Sequence, residues 1–399
     1  MNPLFNPTKL RYFSQRTSHD ITTNNITHQH LLERPIPSPT PKMAAQSSLT
    51  LSSATFAKLS PHPYLLANLQ PADAGTPSSR TNGRQPTQAR PPAINTSSLS
   101  HAHGSAVVRT GDTTVICGVR GETLATSQVP NYRPPVSSTD AAAATTNVDE
   151  LRDYDLLVPN IELATGCAPD FLPGVPPTTL AQTLSTRLYS LLHASGLLNV
   201  EDLRIYHDKS DDDEDMRDAD GAADIDVPAR GVGAYWVLYI DLLFISLDGN
   251  PFDAAWAAVL AALRDTKLPR ARWDADREMV LCSRREPAVP LSISGLPVAC
   301  TAAVFTAKER LKQSQTQGRR KGGETGSGPF WILVDPDRFE EGLCDEVVTV
   351  IVDCSARGDR EETKILGISK SGGTTVGPEV IRRLVKVAEA RWQAFRDAF

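Results

Sequence analysis

The 399-residue chain is 22% charged and 40% hydrophobic, with 30 prolines and a formal net charge of −6. That length accommodates two domains plus tails, and the acidic balance argues against a free-standing nucleic-acid binder, which shows a strongly basic domain. No segment reaches the roughly 20 uninterrupted apolar residues of a membrane span, since Tyr235 to Leu247 is too short and holds Asp241 near its centre.

Residues 1–60 are expected to be disordered on composition. The first 42 lack an apolar h-region, so no secretory signal is read there. Lys9, Arg11 and Arg16 give a faint presequence character, set against disorder or a true start at Met43. The expectation is a soluble, intracellular chain. Order begins weakly at PHPYLLANL (61–69) and firmly after SRTNGR (79–84). GSAVVRTGDTTVICGV (104–119) reads as two β-rich runs around Thr110-Gly111-Asp112, a hairpin signal. Tyr132 to Leu157 reads as a loop rich in Pro, Ala and Thr.

In VPPTTLAQTLSTRLYSLLHASG, Leu180, Leu184, Leu188 and Leu191 form a helical stripe that Gly196 can close. LRIYH (203–207) and YWVLYIDLLFISL (235–247) read as paired strands. The acidic run between them reads as a solvated insertion rather than a binding tail. PFDAAWAAVLAALRDT (251–266) is apolar on most sides, hence a buried helix. LPVACTAAVF (296–305), FWILVDP (330–336) and DEVVTVIVD (345–353) read as β segments, interrupted by a basic, Gly-rich loop. VIRRLVKVAEARWQAFRDAF (380–399) is an amphipathic helix with Ile381, Leu384, Ala388 and Trp392 on one stripe. The order suggests two α+β units.

The usual catalytic signatures are missing. GISKSGGTTVG (367–377) is glycine-rich but has no GK[ST] ending, so a P-loop is not read there. GxSxG and HEXXH do not occur. His101 and His103 lie close together without a spaced carboxylate or cysteine, and read as surface polar residues. The six cysteines (117, 167, 282, 300, 344 and 354) form no CxxC pair, so small buried hydrophobes in a reducing compartment are the reading. No metal or cofactor is expected.

Three blocks together carry a resemblance: SRTNGR with GSAVVRTGDTTVICGVRGE, YWVLYIDLLFISLDGNPFDAAWAAVLAAL, and LPVACTAAVF with FWILVDP. They resemble the RNase PH-like ring subunits of the eukaryotic RNA exosome. The likeness runs from about residue 60 to the C-terminus, apart from the two charged insertions. It implies an α+β RNase PH fold, a ribosomal protein S5 domain 2-like unit plus a smaller C-terminal α+β unit. The implied division is an extension (1–60), domain 1 (61–285, acidic insertion 208–229) and domain 2 (286–399, basic insertion 307–328). It also implies six such subunits in a ring of three dimers, roofed by S1/KH-type cap subunits. RNA threads the channel towards a separate hydrolytic nuclease. The implied location is nucleus, nucleolus and cytoplasm.

Active relatives cleave RNA by phosphorolysis, which needs cations to cradle phosphate and a carboxyl group near the leaving oxygen. The resemblance places their catalytic aspartate at Asp248. It places a second carboxylate at Leu243 and a phosphate-binding arginine at Phe252, where this chain is apolar. Of their arginine-rich helix, TLSTRLYS keeps only Arg187. Arg120 aligns with an arginine near the RNA path. Either arginine is a backbone contact for RNA or a surface salt-bridge residue, and the salt bridge is the favoured account of Arg187. Asp248 is read as vestigial, a turn residue whose side chain bonds to the backbone two residues on. Asp241 is expected to bond to a neighbouring strand or subunit. Apolar surface around Trp236 is expected to be covered by ring assembly. The acidic loop is expected to project away from the channel. The leading function is therefore a non-catalytic ring subunit, with a phosphorolytic 3′-to-5′ exoribonuclease as the alternative and a free RNA-binding module as a third class.

Overall fold

Period-two alternation builds the first sheet. In β2 (Gly104–Thr110) Ala106 and Val108 are buried, facing Cys117 and Val115 of β3 (Thr113–Ala125). Gly111, at φ +60°, makes the two-residue turn between the strands. The computed structural model describes residues 52–71, 75, 77–133, 150–174, 178–207, 231–307, 330–344, 346–355, 363–372 and 377–399. β1 (Pro92–Thr96) extends the hairpin on one side. The long β6 (Val232–Ser246) extends it on the other, antiparallel to β3. The far edge of β6 carries β4 (Leu157–Leu163), parallel, and the short β5 (Arg204–Tyr206), antiparallel.

Two helices cover this sheet. α3 (Thr179–Ser195) packs on β4, with Gly196 closing it at φ +62°. α4 (Pro251–Asp265) is buried at every position from Pro251 to Leu263 because it lies against β2 and β3 and also against β11 (Val298–Thr306). Its alanines keep it thin enough for both contacts. β11 is central to an antiparallel second sheet, β12 (Phe330–Val334), β11, β13 (Glu346–Asp353) and β14 (Lys364–Ser371). α6 (Pro378–Ala398) lies on β11 and β13, and Trp392 Nε1 donates to the Leu296 carbonyl at 2.7 Å.

Smaller elements finish the fold. β7 (Lys267–Leu268) pairs with β10 (Val289–Pro290), and β8 (Ala271–Asp274) with β9 (Met279–Cys282). The one-turn α5 (Arg338–Glu341) follows β12, its start fixed by a capping box between Asp337 and Glu340. α1 (Ser53–Leu59) and α2 (Pro61–Leu69) precede the first strand, with Leu65 and Leu69 packed on Phe305 and Leu333.

The α+β reading holds, and several details change. Ser53–Leu59 is helical although disorder was expected to residue 60, because Ser52 caps it and Phe56 meets Tyr64 edge-on at 5.7 Å. Leu184, Leu188 and Leu191 are buried, but Leu180 is 38% exposed in the first turn of α3. Residues 367–371 of the glycine-rich stretch complete β14, an assignment that only its pairing with β13 makes. Only Cys117, Cys167 and Cys300 are buried, Cys282 being exposed. His103 is half-buried and accepts the Gly121 N–H at Nδ1 (3.0 Å), so it is not a plain surface residue. Trp236 is 6% exposed; the open apolar side chains on β6 are instead Leu243 and Ile245. The acidic run from 208 to 230 and the basic run from 308 to 329 lie outside the described residues.

The α3 stripe gives a direct test. Leu188→Ala should cost about 2–5 kcal/mol, and Leu180→Ala less than about 0.5 kcal/mol, in urea unfolding of the two variants.

Candidate functional site

Between β6 and α4 the chain turns through Asp248, Gly249 and Asn250. Gly249 has φ +72° and Asn250 φ +49°. A Cβ on Gly249 would stand 2.5 Å from the Asp337 carbonyl carbon and 2.6 Å from the Arg338 nitrogen. Only glycine therefore serves there, since the segment after β12 runs directly against the turn. Thr113 on β3 holds the turn from the other side, accepting the Asp248 N–H at Oγ1 (3.0 Å) and donating to the Gly249 carbonyl (3.1 Å).

Asp248 is a turn residue, as read, but its bonds are not those expected. The Asn250 N–H goes to Glu341 Oε1 (2.7 Å), so the Asp248 carboxylate does not take it. That carboxylate, 43% exposed, faces Arg90, whose Nη1 is 3.4 Å from Oδ2 and donates to the Asp248 carbonyl at 2.8 Å. Asp248 is therefore not an isolated acid. Arg90 is itself held by Asp335: Nε donates to Oδ2 and Nη2 to Oδ1, each at 2.8 Å. This two-point fork fixes the guanidinium plane.

Asp335 is completely buried and gathers the surrounding elements. It accepts from the Arg90 backbone N–H (2.8 Å), Arg84 Nη1 (3.3 Å) and Asn250 Nδ2 (2.7 Å). Burial pushes its carboxyl up. The hydrogen bond from Arg90 and the charges of Arg391 and Arg90 outweigh burial and hold it well below the usual carboxylate range. Arg80, equally buried, pairs with Glu340 and donates to the Val334 carbonyl at 2.6 Å.

The arginines named from sequence lie elsewhere. Arg120, on β3, is exposed, 3.3 Å from Glu122 and 5.5 Å from the centre of the Tyr239 ring. Arg187, on α3, is half-buried and makes no ion pair among the described residues, against the salt bridge favoured from sequence. It stacks 3.9 Å over the Phe252 ring and donates from Nη2 to Thr349 Oγ1 (3.0 Å). Burial lowers its pKa, opposed by the charge of Asp253. Phe252 thus offers Arg187 a π face where the resemblance places a cation in active relatives. Leu243 is 36% exposed on the open face of β6. Asp241 bonds to a neighbouring strand, accepting from Asn160 Nδ2 of β4 (3.3 Å).

Sequence reasoning missed Arg80, Arg84, Arg90, Asp335 and Glu340. DPD at 335–337 carried a turn signal, but nothing local paired it with the arginines of SRTNGRQPTQAR. Chemically, the cluster is a neutralised ion network closed around the Asp248 turn. Among the described residues no group of three or more His, Cys, Asp or Glu side chains is arranged to hold a metal ion.

A family model described as "3' exoribonuclease family, domain 1" matches residues 88–269. The chain is similar to the exosome complex component rrp43 of Schizosaccharomyces pombe, 29% identical over 344 residues, 86% of this chain and 97% of that protein. It is also similar to the exosome complex component Rrp42 of Methanothermobacter thermautotrophicus, 26% identical over 309 residues, 77% of this chain and 85% of that protein. Among solved structures, an Archaeoglobus fulgidus exosome with RNA bound to the active site matches with a TM-score of 0.54 at 22% identity, covering 84% of this chain and 96% of its own. An archaeal exosome core matches at 0.50 and 20%, with the same coverage. These structural likenesses show the shared fold.

Glu341 supplies a test of the clasp on the turn. Burial pushes its carboxyl up to about 7 from 4.5, with Asp335 and Asp337 adding to the rise and the Asn250 N–H and Arg90 opposing it. The folded chain then binds the proton more tightly than the unfolded one. Stability falls as pH rises from about 4.5 to about 7, by at most about 3 kcal/mol. Glu341→Gln keeps an acceptor for Asn250 without the titration. Urea unfolding between pH 5 and 8 should show a smaller decline for the variant than for the parent chain.

Proposed function

We propose, from the match of residues 88–269 to a model of the 3' exoribonuclease family, that this chain is a non-catalytic subunit of the hexameric RNase PH-like ring of an RNA exosome. It helps to form the channel through which RNA is threaded, supporting 3′-to-5′ maturation of rRNA and turnover of mRNA and non-coding RNA. Its partners are other RNase PH-like subunits, met first as a heterodimer and then as a ring, with S1/KH-type caps and a hydrolytic nuclease. It works in the nucleus, nucleolus and cytoplasm. Similarity along 97% of an S. pombe protein named as an exosome component supports the ring assignment.

The observation that carries the non-catalytic part is the set of groups around Asp248. Phosphorolysis brings inorganic phosphate against a phosphodiester, so converging negative charges must be met by free cations. Leu243 and Phe252 bring none, and the arginine at Asp248, Arg90, is forked onto buried Asp335. With no free cation beside it among the described residues, the acid repels phosphate instead of helping to bind it. In this reading Arg120 or Arg187 is the candidate contact for the RNA backbone. Arg120, at 59% side-chain exposure, is the open one, while Arg187 is engaged with Phe252 and Thr349.

Two measurements test the halves separately. Purified chain with oligo-RNA and inorganic phosphate should release no nucleoside diphosphate above background; turnover that is lost in Asp248→Ala would overturn the non-catalytic half. The chain recovered from cells should run with the mass of a multi-subunit assembly, and recovery as a lone monomer would overturn the ring half.

A further inference from the structure

Asp253, in the first turn of α4, is a buried carboxylate surrounded by donors from three elements. Oδ2 accepts from Asn250 Nδ2 (2.9 Å) and the Thr301 N–H (2.9 Å), with Arg391 Nη2 at 3.4 Å. Oδ1 accepts from Thr301 Oγ1 (2.6 Å). Two of these neighbours are incomplete. Among the described residues, Arg391, 6% exposed, leaves Nε and Nη1 without a hydrogen-bond partner, and Asn250, 3% exposed, leaves Oδ1 without one. The Asn250 amide cannot be reversed to repair this, because its Nδ2 already faces the carboxylates of Asp253 and Asp335 (2.7 Å), where an oxygen would be repelled.

Buried polar atoms are rarely left unpaired, and here the two incomplete side chains reach the same carboxylate oxygen, Asn250 through Nδ2 at 2.9 Å and Arg391 through Nη2 at 3.4 Å, so their polar ends converge on Asp253. Their needs differ in sign. Arg391 lacks acceptors and Asn250 lacks a donor. An anion would serve the guanidinium and repel the amide oxygen, and a cation would do the reverse. Water does both, accepting from arginine and donating to the amide.

We propose that this pocket of α4, β11 and α6 binds a buried water that bridges the Arg391 guanidinium to Asn250 Oδ1. The bridge ties the C-terminal helix to the turn that carries Asp248. Arg391 is then a positioning residue for that turn, acting through Asp253 and the water. The inference holds whether or not the chain joins a ring.

The test uses the full-length chain with 15N-labelled arginine. The Arg391 Nε–H signal, assigned by its loss in Arg391→Lys, should show cross-relaxation with a long-lived water. Asn250→Gly, which suits the positive φ at that position, removes the amide acceptor. It should abolish that cross-peak while the Nε–H signal remains. A high-resolution crystal structure should place solvent density within about 3 Å of both Arg391 and Asn250 Oδ1. A cross-peak undiminished in Asn250→Gly, or density showing both groups satisfied by protein atoms alone, would overturn the proposal.

Discussion

The buried carboxylate of Asp335 is the constraint on which the site depends. It terminates β12, sits at φ +51° and donates its own N–H to the Thr301 carbonyl (2.9 Å). Its two oxygens collect Arg84, Arg90 and Asn250, which come from the loop before β1 and the turn before α4. A charge so deeply buried persists only when it is paired and hydrogen-bonded. Breaking such a pair from one side costs about 3–5 kcal/mol, because the partner is left uncompensated. The Asp248 turn is thereby held from several sides at once. Its shape is imposed by Asp335 through Arg90 and Asn250, by Glu341 through the Asn250 N–H, and by the backbone that crowds Gly249.

Among the described residues, the cations nearest the Asp248 turn are committed to internal partners. Arg90 lies beside Asp248, but the geometry of its fork commits it elsewhere. Arg187 on α3 holds its guanidinium 3.9 Å over the Phe252 ring, an aromatic contact that an arginine at that position would not offer. Arg90 and Arg187 are thus both engaged within the fold. The fold that this chain shares with archaeal exosome structures thus carries, between β6 and α4, a turn fastened by buried ion pairs.

How much of this was legible follows from the range of each interaction. The β2–β3 hairpin, the Leu184–Leu188–Leu191 face and the buried α4 rest on local alternation, a 3.6-residue period or a two-residue turn, all written within a short window. β4 and β14 were missed because a parallel edge and a glycine-rich edge are strands only by virtue of their neighbours. The Asp-Gly-Asn turn was read correctly as a turn, and its partners wrongly, because Arg90 and Glu341 come from distant segments. Arg391 falls between apolar positions of α6 and reads as a solvent residue until Asp253 is known to lie opposite. Leu180 fits the stripe by spacing and escapes burial by lying at the helix end.

The same separations bear on how the chain is made. Arg80 lies 260 residues before Glu340, and Arg90 lies 245 before Asp335. At roughly 5–20 residues per second of synthesis, these arginines leave the ribosome roughly 10–50 s ahead of the acids that will neutralise them. Throughout that interval the first sheet can assemble and Thr113 can hold the turn after β6, but Asp335 and Glu341 are not yet there to fasten it. The nascent chain is therefore cationic along its amino-terminal arm, and the last third of translation is what fastens the beginning to the rest.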